Sequence, residues 1–293
     1  MTEYFGVSRQ AYYKQLKANK QGNQDIEIIV DLVKSKRKKM HRLGCKKLHY
    51  TLQPELNQLG IKCGRDKFFR VLKQERLLVK KLKSYTVTTQ SYHRFNKHPN
   101  LIMDTTINRP EQVWVSDITY IRTTQGFMYL SLITDAYSKQ IMGYNLSNNM
   151  KTVSSKKALT MALRNRKYPD MPLIHHSDRG FQYCSPEYTD VLDDNNINIS
   201  MTTKYDPYEN AIAERVNGIL KQEFILDYGN ITKSEAKSIV NQSISIYNYE
   251  RPHLSCQYLT PVQAHEFGNY ELKKWSKKFP SKGYPLEGNE YYI

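Results

Sequence analysis

Apolar residues in the first third of the chain recur with the period of an amphipathic helix. The run DIEIIVDLVKSKRKKM, which starts at residue 25, places its apolar side chains at i, i+3, i+4 and i+7 spacing: Ile26, Ile29, Val30 and Val33. The run KKLHYTLQPELNQLG repeats this spacing with four leucines, and its final residue, Gly60, suits a helix C-cap. Pro54 inside the run predicts a bend or a break. We therefore expect helices over both runs.

A third helix is predicted within GRDKFFRVLKQERL, residues 64–77. Phe68, Phe69 and Leu72 are expected to face inward. The outward face carries four bases, Arg65, Lys67, Arg70 and Lys73. Three short helices with a basic last one are typical of a helix-turn-helix DNA-binding module. Small basic helical bundles that bind RNA, or no nucleic acid, are the alternatives.

After residue 110 the hydrophobic pattern changes from helical to alternating. Three strands are predicted in QVWVSDITYI, FMYLSLITDAY and QIMGYNLS, and their short connections imply antiparallel neighbours. The helical run TVSSKKALTMALRNR follows, and then a buried strand PLIHHSD, a helix SPEYTDVLDDNN, a strand INISMT and a further helix. The order β-β-β-α-β-α-β-α predicts an α/β fold, with a mixed sheet flanked by helices.

These changes of pattern predict four regions. Residues 1–82 form a basic helical DNA-binding region, helix-turn-helix-like over about 25–82. Residues 83–109 are interpreted as a polar linker, residues 110–228 as the α/β core, and residues 229–293 as a C-terminal helical segment with a tail rich in Tyr and Lys.

Charge is distributed unevenly between these regions. The net charge is +16, and residues 1–100 hold 23 Lys and Arg against 7 Asp and Glu, whereas residues 101–293 hold 21 of each kind. A surplus confined to the first third indicates a polyanionic partner, most simply the phosphates of DNA or RNA. A solvated basic surface is the alternative.

Composition excludes several classes of protein. The chain has 293 residues, of which 39% are hydrophobic and 25% charged, as expected for a folded protein with a sizeable core. No transmembrane run or signal-peptide pattern is present, so we expect a cytosolic protein with no membrane partner. The cysteines Cys45, Cys63, Cys184 and Cys256 form no CxxC pair, which predicts reduced thiols and no zinc site.

Two aspartates occupy positions where a carboxylate needs a physical reason. Asp117 lies within the first predicted strand, where a buried charge is costly unless it is paired or binds a metal. Asp178 follows the buried strand PLIHHS at its carboxyl end, where open α/β sheets bind ligands. Each also has a structural interpretation, as an edge-strand carboxylate or as a loop aspartate beside Arg179.

The stretch DPYENAIAERVNGILKQE, residues 206–223, supplies a third candidate acid. At about 100° per residue, its buried stripe consists of Ile212, Val216, Ile219 and Leu220. Glu214 falls outside this stripe, on the same side of the helix as Gly218 and Lys221. We therefore select Glu214.

The other acids of this stretch receive structural interpretations. Asp206 and Glu209 precede or begin the helix, where turn and capping roles are expected together with Asn210. Glu223 lies on the side of the helix away from Glu214 and is interpreted as part of a solvated face.

Three carboxylates from two strands and a helix suit a site for two divalent ions. Mg²⁺ or Mn²⁺ takes oxygen ligands of this kind. Two such ions activate an attacking oxygen and stabilise the leaving oxygen in phosphoryl transfer. A basic module that holds a polyanion and a site that cuts or joins it would explain one another.

The spacing of the acids resembles that of a known family. Asp178 and Glu214 are separated by 35 residues, and Lys221 lies seven residues after Glu214. With the motifs WVSDITYI and HHSDRGFQY, the chain resembles D,D-35-E transposases and retroviral-type integrases with a ribonuclease H-like core. More narrowly, it resembles the second-frame product of IS3-family insertion sequences of the IS150-like branch, from the helix-turn-helix segment at residues 43–77 to the closing motif YNYERPHLSCQYLTP.

The resemblance implies a mechanism and a set of residue roles. Asp117, Asp178 and Glu214 would be catalytic metal ligands for two Mg²⁺ or Mn²⁺ ions, and Lys221 would contact DNA near the transposon end. Hydrolysis would free a 3′-hydroxyl, which then attacks another strand. The expected partners are double-stranded DNA, both the element's terminal inverted repeats and the target, and further copies of the chain in a homo-oligomer. The resemblance also implies a location on the nucleoid in the bacterial cytosol.

The chain also departs from the family pattern. The family often has Trp-Asp-Asn-Ala before the glutamate and Ser after it, whereas this chain has Tyr208-Glu209-Asn210-Ala211 and Arg215. Family members usually gain an upstream helix-turn-helix and leucine zipper by frameshifting, which implies that this chain is an incomplete transposase. A structure-selective nuclease without strand transfer, and a DNA-binding repressor with an inactive core, are the alternative functions.

Three further residues near the predicted site have competing interpretations. For Asp135 a structural role is favoured over a place in the site. His175 and His176 alternate to opposite faces of their strand. Of the two, His176 is the better candidate for a neighbour of the site, although a packed histidine is the favoured interpretation.

Overall fold

The computed structural model describes residues 8–80, 95–103, 105–203, 210–224 and 230–268. It begins with three helices, α1 (Arg9–Lys39), α2 (Cys45–Gln58) and α3 (Arg65–Gln74). The apolar side chains that predicted them are buried, among them Ile29 and Val33 of α1 and Leu48, Leu52 and Leu56 of α2. Within the described residues, no helix combines the length and the apolar character that crossing a membrane requires.

Helix α2 continues through Pro54 and ends at the predicted C-cap. The helix neither splits nor ends at Pro54, which lies inside a single helix, because three buried leucines hold both halves against the same core and offset one missing backbone hydrogen bond. The predicted C-cap at Gly60 is confirmed, with φ of 70°. The Ile61 N–H donates to Leu56 O at 2.9 Å and the Gly60 N–H to Asn57 O at 3.0 Å, which is a Schellman motif.

Helix α3 buries one aromatic side chain fewer than predicted. Phe68 and Leu72 are fully buried, but Phe69 is 46% exposed, so its predicted inward orientation is wrong. The reason is helical geometry, because adjacent residues are about 100° apart and cannot both lie at the centre of one buried stripe. The outward face of α3 therefore carries an aromatic ring among its bases.

The α/β region contains the predicted mixed sheet. Its strands are β1 (Val113–Thr123), β2 (Gly126–Asp135), β3 (Ile141–Ser147), β4 (Leu173–Ser177) and β5 (Ile197–Met201), in the spatial order β3-β2-β1-β4-β5. β1 pairs antiparallel with β2 and parallel with β4, and β4 pairs parallel with β5. The predicted order of strands and helices is confirmed. The fold is a ribonuclease H-like mixed sheet flanked by helices.

Within the described residues, six α-helices accompany or follow the sheet. They are α4 (Thr152–Arg164), α5 (Phe181–Cys184), α6 (Pro186–Asp194), α7 (Ala211–Glu223), α8 (Lys233–Tyr249) and α9 (Pro261–Phe267), and a short 3-10 helix spans Leu254–Cys256. The short helices α5 and α9 were not predicted, since neither is long enough to show a hydrophobic period.

The N-terminal helices share one hydrophobic core with the α/β region. Buried residues of α1, α2 and α3 form a continuous cluster with Val216, Ile219 and Leu220 of α7, with α8, and with one face of the sheet. The region boundaries predicted from the sequence stay predictions, and those near residues 82 and 228 lie outside the described residues.

A buried ionic network attaches α9 to the start of β1. His265 Nε2 lies 3.1 Å from Glu111 Oε1, and its Nδ1 lies 3.6 Å from Asp135 Oδ2. Glu111 also accepts from the Lys167 N–H at 2.6 Å, and Asp135 from the Glu111 N–H at 2.8 Å. Both carboxylates are fully buried, so they hold His265 as a cation, and its pKa rises to about 9 against the opposing effect of burial. The structural role favoured for Asp135 is confirmed.

This network predicts a pH-dependent contribution to stability. The pKa of His265 is raised from 6.5 to about 9, so its ion pairs stabilise the fold fully below pH 6.5 and the contribution is lost as the pH rises through about 9. His265→Gln should therefore lower the unfolding free energy by on the order of 3 kcal/mol at pH 6, with a difference that shrinks towards pH 9.5. Thermal unfolding across this range measures it. The exposed His41→Gln is the control, and a difference that does not vary with pH would contradict the assignment.

Candidate active site

Asp117 occupies the middle of the sheet and has both carboxylate oxygens engaged. It lies on β1 opposite Leu132 of β2 and is half-buried. Oδ1 accepts a hydrogen bond from the Ile118 N–H at 2.9 Å, and Oδ2 accepts one from Asn217 Nδ2 at 2.7 Å. The second bond joins β1 to α7 and fixes the orientation of the carboxylate.

Asp178 is brought beside Asp117 by the parallel pairing of β1 with β4. The last paired residues of these strands are Ser116 and Ser177, so each aspartate is the next residue of its own strand path. Asp178 Oδ1 accepts from the Gly180 N–H at 3.0 Å. A Cβ at position 180 would lie 3.0 Å from the same oxygen, so this tight turn favours glycine.

Helix α7 carries Glu214 in its first turn. Asn210, at the N-cap, donates its side-chain amide to Ser116 O at 3.2 Å and so ties the start of α7 to β1. Val216 and Leu220 are buried against the sheet, which turns Glu214 outward, as its position outside the apolar stripe predicted. The capping role expected of Asn210 is replaced by this bond to the strand, and Asp206 and Glu209 lie outside the described residues.

The three acids act on one another electrostatically. The pKa of Asp117 rises from 3.8 to about 7, first because burial disfavours its charged form, and also because Asp178 and Glu214 repel it. The hydrogen bond from Asn217 works in the opposite direction. The pKa of Glu214 is raised by desolvation. This mutual repulsion is the condition that a bound cation relieves.

The structure does not bring all three acids to one point. Within the described ranges, no three carboxylate, imidazole or thiolate groups converge closely enough to hold one metal ion. Asp117 and Asp178 are neighbours across two strands, whereas Glu214 is exposed on α7. The donor set is all oxygen and fits a hard divalent cation. Joining Glu214 to the two aspartates requires a movement of α7 or of its side chain.

Lys221 lies two turns along α7 from Glu214 and points back towards β1. Its Nζ is 4.0 Å from the centre of the Tyr120 ring, three residues after Asp117. The four basic residues of α3 that were predicted to bind DNA lie elsewhere, on the surface of the N-terminal helices. One of them, Arg65, forms an ion pair with Asp66 at 2.9 Å.

The two histidines are packed inside the sheet, which confirms the favoured interpretation. His175 Nε2 lies 2.7 Å from Ser116 Oγ and 3.0 Å from the Tyr188 hydroxyl, and burial lowers its pKa to about 3. His176 Nδ1 lies 2.8 Å from Ser200 Oγ on β5. Both hold strands together.

Sequence reasoning missed two polar residues of α7. Asn217 follows Glu214 by three residues and so shares its face, a spacing that could have revealed it. Glu223 was interpreted as part of a solvated face, and this is wrong. Its carboxylate is largely buried between Lys47 and Arg251, which are distant in sequence and gave no local signal.

Family models match the part of the chain that contains the three acids. Two family models, each described as Integrase core domain, match residues 107–207 and 195–261, and the matched ranges contain Asp117, Asp178 and Glu214. The HTLV-2 integrase catalytic core domain in complex with magnesium is 19% identical, with a TM-score of 0.43, and the match covers 54% of this chain and 97% of that chain.

Two bacterial relatives extend the similarity beyond the core. The insertion element IS600 uncharacterized 31 kDa protein of Shigella sonnei is 35% identical, over 91% of this chain and 97% of that protein. The transposase InsF for insertion sequence IS3A of Escherichia coli (strain K12) is 34% identical, over 66% of this chain and 67% of that protein.

Fold and family models together define the class. The protein is a polynucleotidyl transferase of the DDE type with an integrase core, an enzyme that depends on divalent metal. The chain belongs to the IS3 family of insertion-sequence transposases, which cleave DNA strands and transfer them to new positions.

The bond from Asn217 to Asp117 predicts a loss of activity on its removal. Asn217→Ala should leave the protein folded but lower the strand-transfer rate by about 10- to 100-fold, because Asp117 without this hydrogen bond would be less well oriented to hold a metal ion. The Mg²⁺ concentration that gives half the maximal rate should rise. Gln222→Ala, at an exposed position of the same helix, is the control. An Asn217→Ala rate within about twofold of wild type would contradict this role.

Proposed function

We propose that Asp117, Asp178 and Glu214 are the catalytic metal ligands of this transposase. The observation that carries the proposal is the adjacency of the two aspartates at the ends of paired residues in β1 and β4. Glu214 belongs with them because its charge contributes to the raised pKa of Asp117. Two Mg²⁺ or Mn²⁺ ions would be held by the oxygens of these three residues.

The chain's own residues prepare this site in separate ways. When bound, the ions supply activation of the attacking oxygen and stabilisation of the leaving oxygen in an in-line displacement. Asn217 and the Ile118 N–H orient Asp117, and the Gly180 N–H orients Asp178. Glu214, being exposed, is free to approach the aspartates when the DNA and the ions arrive.

Lys221 is proposed to contact DNA at the transposon end. Stacking on Tyr120 directs its ammonium group towards the strand that carries Asp117. A phosphate next to the scissile bond would then meet a cation close to the metal site, which is where neutralisation of its charge favours the displacement.

Helix α3 is proposed to recognise the terminal inverted repeats of the element. Its outward face combines bases with an exposed ring, a pairing that suits phosphates and thymine methyl groups in a major groove. The residues are Arg65, Lys67, Phe69, Arg70 and Lys73. Both ends must be held for strand transfer, so we infer a homo-oligomer that assembles on the ends and the target DNA, on the bacterial nucleoid.

Substitution of Glu214 tests the site. Glu214→Gln removes a proposed metal ligand but no basic side chain of the DNA-binding surface. The rates of cleavage and joining should therefore fall by at least about a hundredfold, while affinity for the element's end stays within about twofold. A strand-transfer assay on labelled ends, with a parallel binding assay, measures both. Glu187→Gln, an exposed acid of α6, is the matched control.

The same assay separates the alternative functions. Wild-type cleavage without joining would support a nuclease, and binding without cleavage would support a repressor. Joining by Glu214→Gln at the wild-type rate would show that the site is assigned wrongly.

Recognition by α3 predicts two kinds of binding defect. Phe69→Ala should weaken binding to the element's end but not to unrelated DNA, because an apolar contact reads bases. Arg70→Ala should weaken both and lower the salt dependence of binding by about one unit of slope. Titrations at several salt concentrations measure these effects, with the exposed Lys237→Ala of α8 as control. Unchanged binding in both variants would contradict the role of α3.

A further inference from the structure

A buried cluster of charges lies at the C-terminal end of α7, away from the candidate ligands. Glu223, the last residue of α7, accepts a hydrogen bond from Lys47 Nζ at 3.1 Å. It also accepts two from Arg251, from Nε at 2.7 Å and from Nη2 at 2.8 Å. We call Lys47, Glu223 and Arg251 the Glu223 cluster.

The Glu223 cluster is withdrawn from solvent. The side chain of Arg251 is 1% exposed, that of Lys47 14% and that of Glu223 15%. Lys47 is therefore not positioned to contact a DNA phosphate. Burying an ion pair stabilises a protein little compared with apolar packing. The three side chains are therefore better explained by the positions of the segments that they fix than by a gain in stability.

The Glu223 cluster joins three parts of the chain that are distant in sequence. Lys47 belongs to α2 of the basic N-terminal region, Glu223 to α7, and Arg251 to the segment after α8. The backbone adds to the connection, because the Arg42 N–H donates to Glu223 O at 3.1 Å. The end of α7 is thereby attached to the region that we propose binds DNA.

Helix α7 connects the Glu223 cluster to Glu214. Glu223 follows Glu214 by nine residues along one helix, a distance of about 14 Å. A helix transmits a small displacement of one end to the other, because its backbone hydrogen bonds keep it rigid. In the described residues Glu214 does not converge with the two aspartates on a metal position. The position of α7 therefore controls whether Glu214 can reach Asp117 and Asp178.

We propose that the Glu223 cluster is a positioning device that couples DNA held by the N-terminal helices to the approach of Glu214 to Asp117 and Asp178. Glu223, Lys47 and Arg251 touch neither substrate nor metal and act through α7. This inference rests on the proposed function of α3 and of the three acids, and it adds the link between them.

Lys47→Met is the variant that isolates the link. It removes the side-chain connection to α2 but leaves both hydrogen bonds between Glu223 and Arg251, which are the shorter ones. Burial, and then the charge of Arg251, lower the pKa of Lys47 to about 8. Lys47 is therefore the weaker of the two partners, and the fold should tolerate its loss.

The expected result is a split between binding and rate. For Lys47→Met, affinity for the element's end should stay within about twofold, whereas the joining rate at saturating DNA should fall at least about tenfold. The Mg²⁺ concentration for half-maximal rate should rise, and Lys47→Arg should restore both. Lys39→Met is the matched control, since Lys39 makes an exposed ion pair with Glu250 that also joins an N-terminal helix to the segment after α8.

Three outcomes overturn the proposal. A lower melting temperature with unchanged rate and Mg²⁺ dependence would mean that the cluster only stabilises the fold. Weaker DNA binding with an unchanged saturated rate would make Lys47 a DNA contact. An equal defect in Lys39→Met would remove the special role of the buried pair.

Two further measurements keep these outcomes separate from failures elsewhere. If Lys47→Met does not fold, Glu223→Gln, which keeps the size of the side chain but removes the charge that attaches α7 to Lys47, should show the same split, and a wild-type rate in that variant overturns the proposal. Joining by Glu214→Gln at the wild-type rate would instead refute the metal site itself, whatever Lys47→Met does.

Discussion

Repulsion between carboxylates that follow the last paired residues of β1 and β4 is the constraint on which this molecule depends. Parallel pairing of β1 with β4 places Asp117 and Asp178 next to each other, and Glu214 adds a third negative charge. Burial and repulsion raise the pKa of Asp117 to about 7, so the site is least stable when fully ionised and empty. We propose that a divalent cation bound by these oxygens would reverse that penalty and supply the chemistry of the family.

Much of the remaining structure holds the charged site in place. Asn217 and Asn210 connect α7 to β1, the Glu223 cluster attaches the other end of α7 to the N-terminal helices, and the network around Glu111 and His265 attaches α9 to the start of β1. Each connection joins segments far apart in sequence. The closing motif that begins at Tyr247 thus has a physical role, because its Arg251 supplies a buried counter-charge rather than a contact to DNA.

Local patterns were sufficient for most of the fold. Apolar patterns predicted the five strands of the described sheet, and positions on strands and a helix singled out the three candidate acids. The 35-residue spacing with the surrounding motifs predicted the family. The failures have a common cause. Phe69 was placed inward, and a bend or a break of α2 was expected at Pro54, because local rules do not include the shape of the core. Glu223 was interpreted as solvated because its partners lie 176 residues upstream and 28 residues downstream.

A cleavage map with a redox-active ion tests the central claim, that Asp117, Asp178 and Glu214 form one metal site on bound DNA. Fe²⁺ can replace Mg²⁺ in the complex with the element's end. With ascorbate and peroxide it generates radicals that cut the protein backbone beside the ion. We expect fragments that end near residues 117, 178 and 214 and that disappear with excess Mg²⁺. Fragments near Glu111 and Asp135, or cuts at the two aspartates with none near Glu214, would contradict the account.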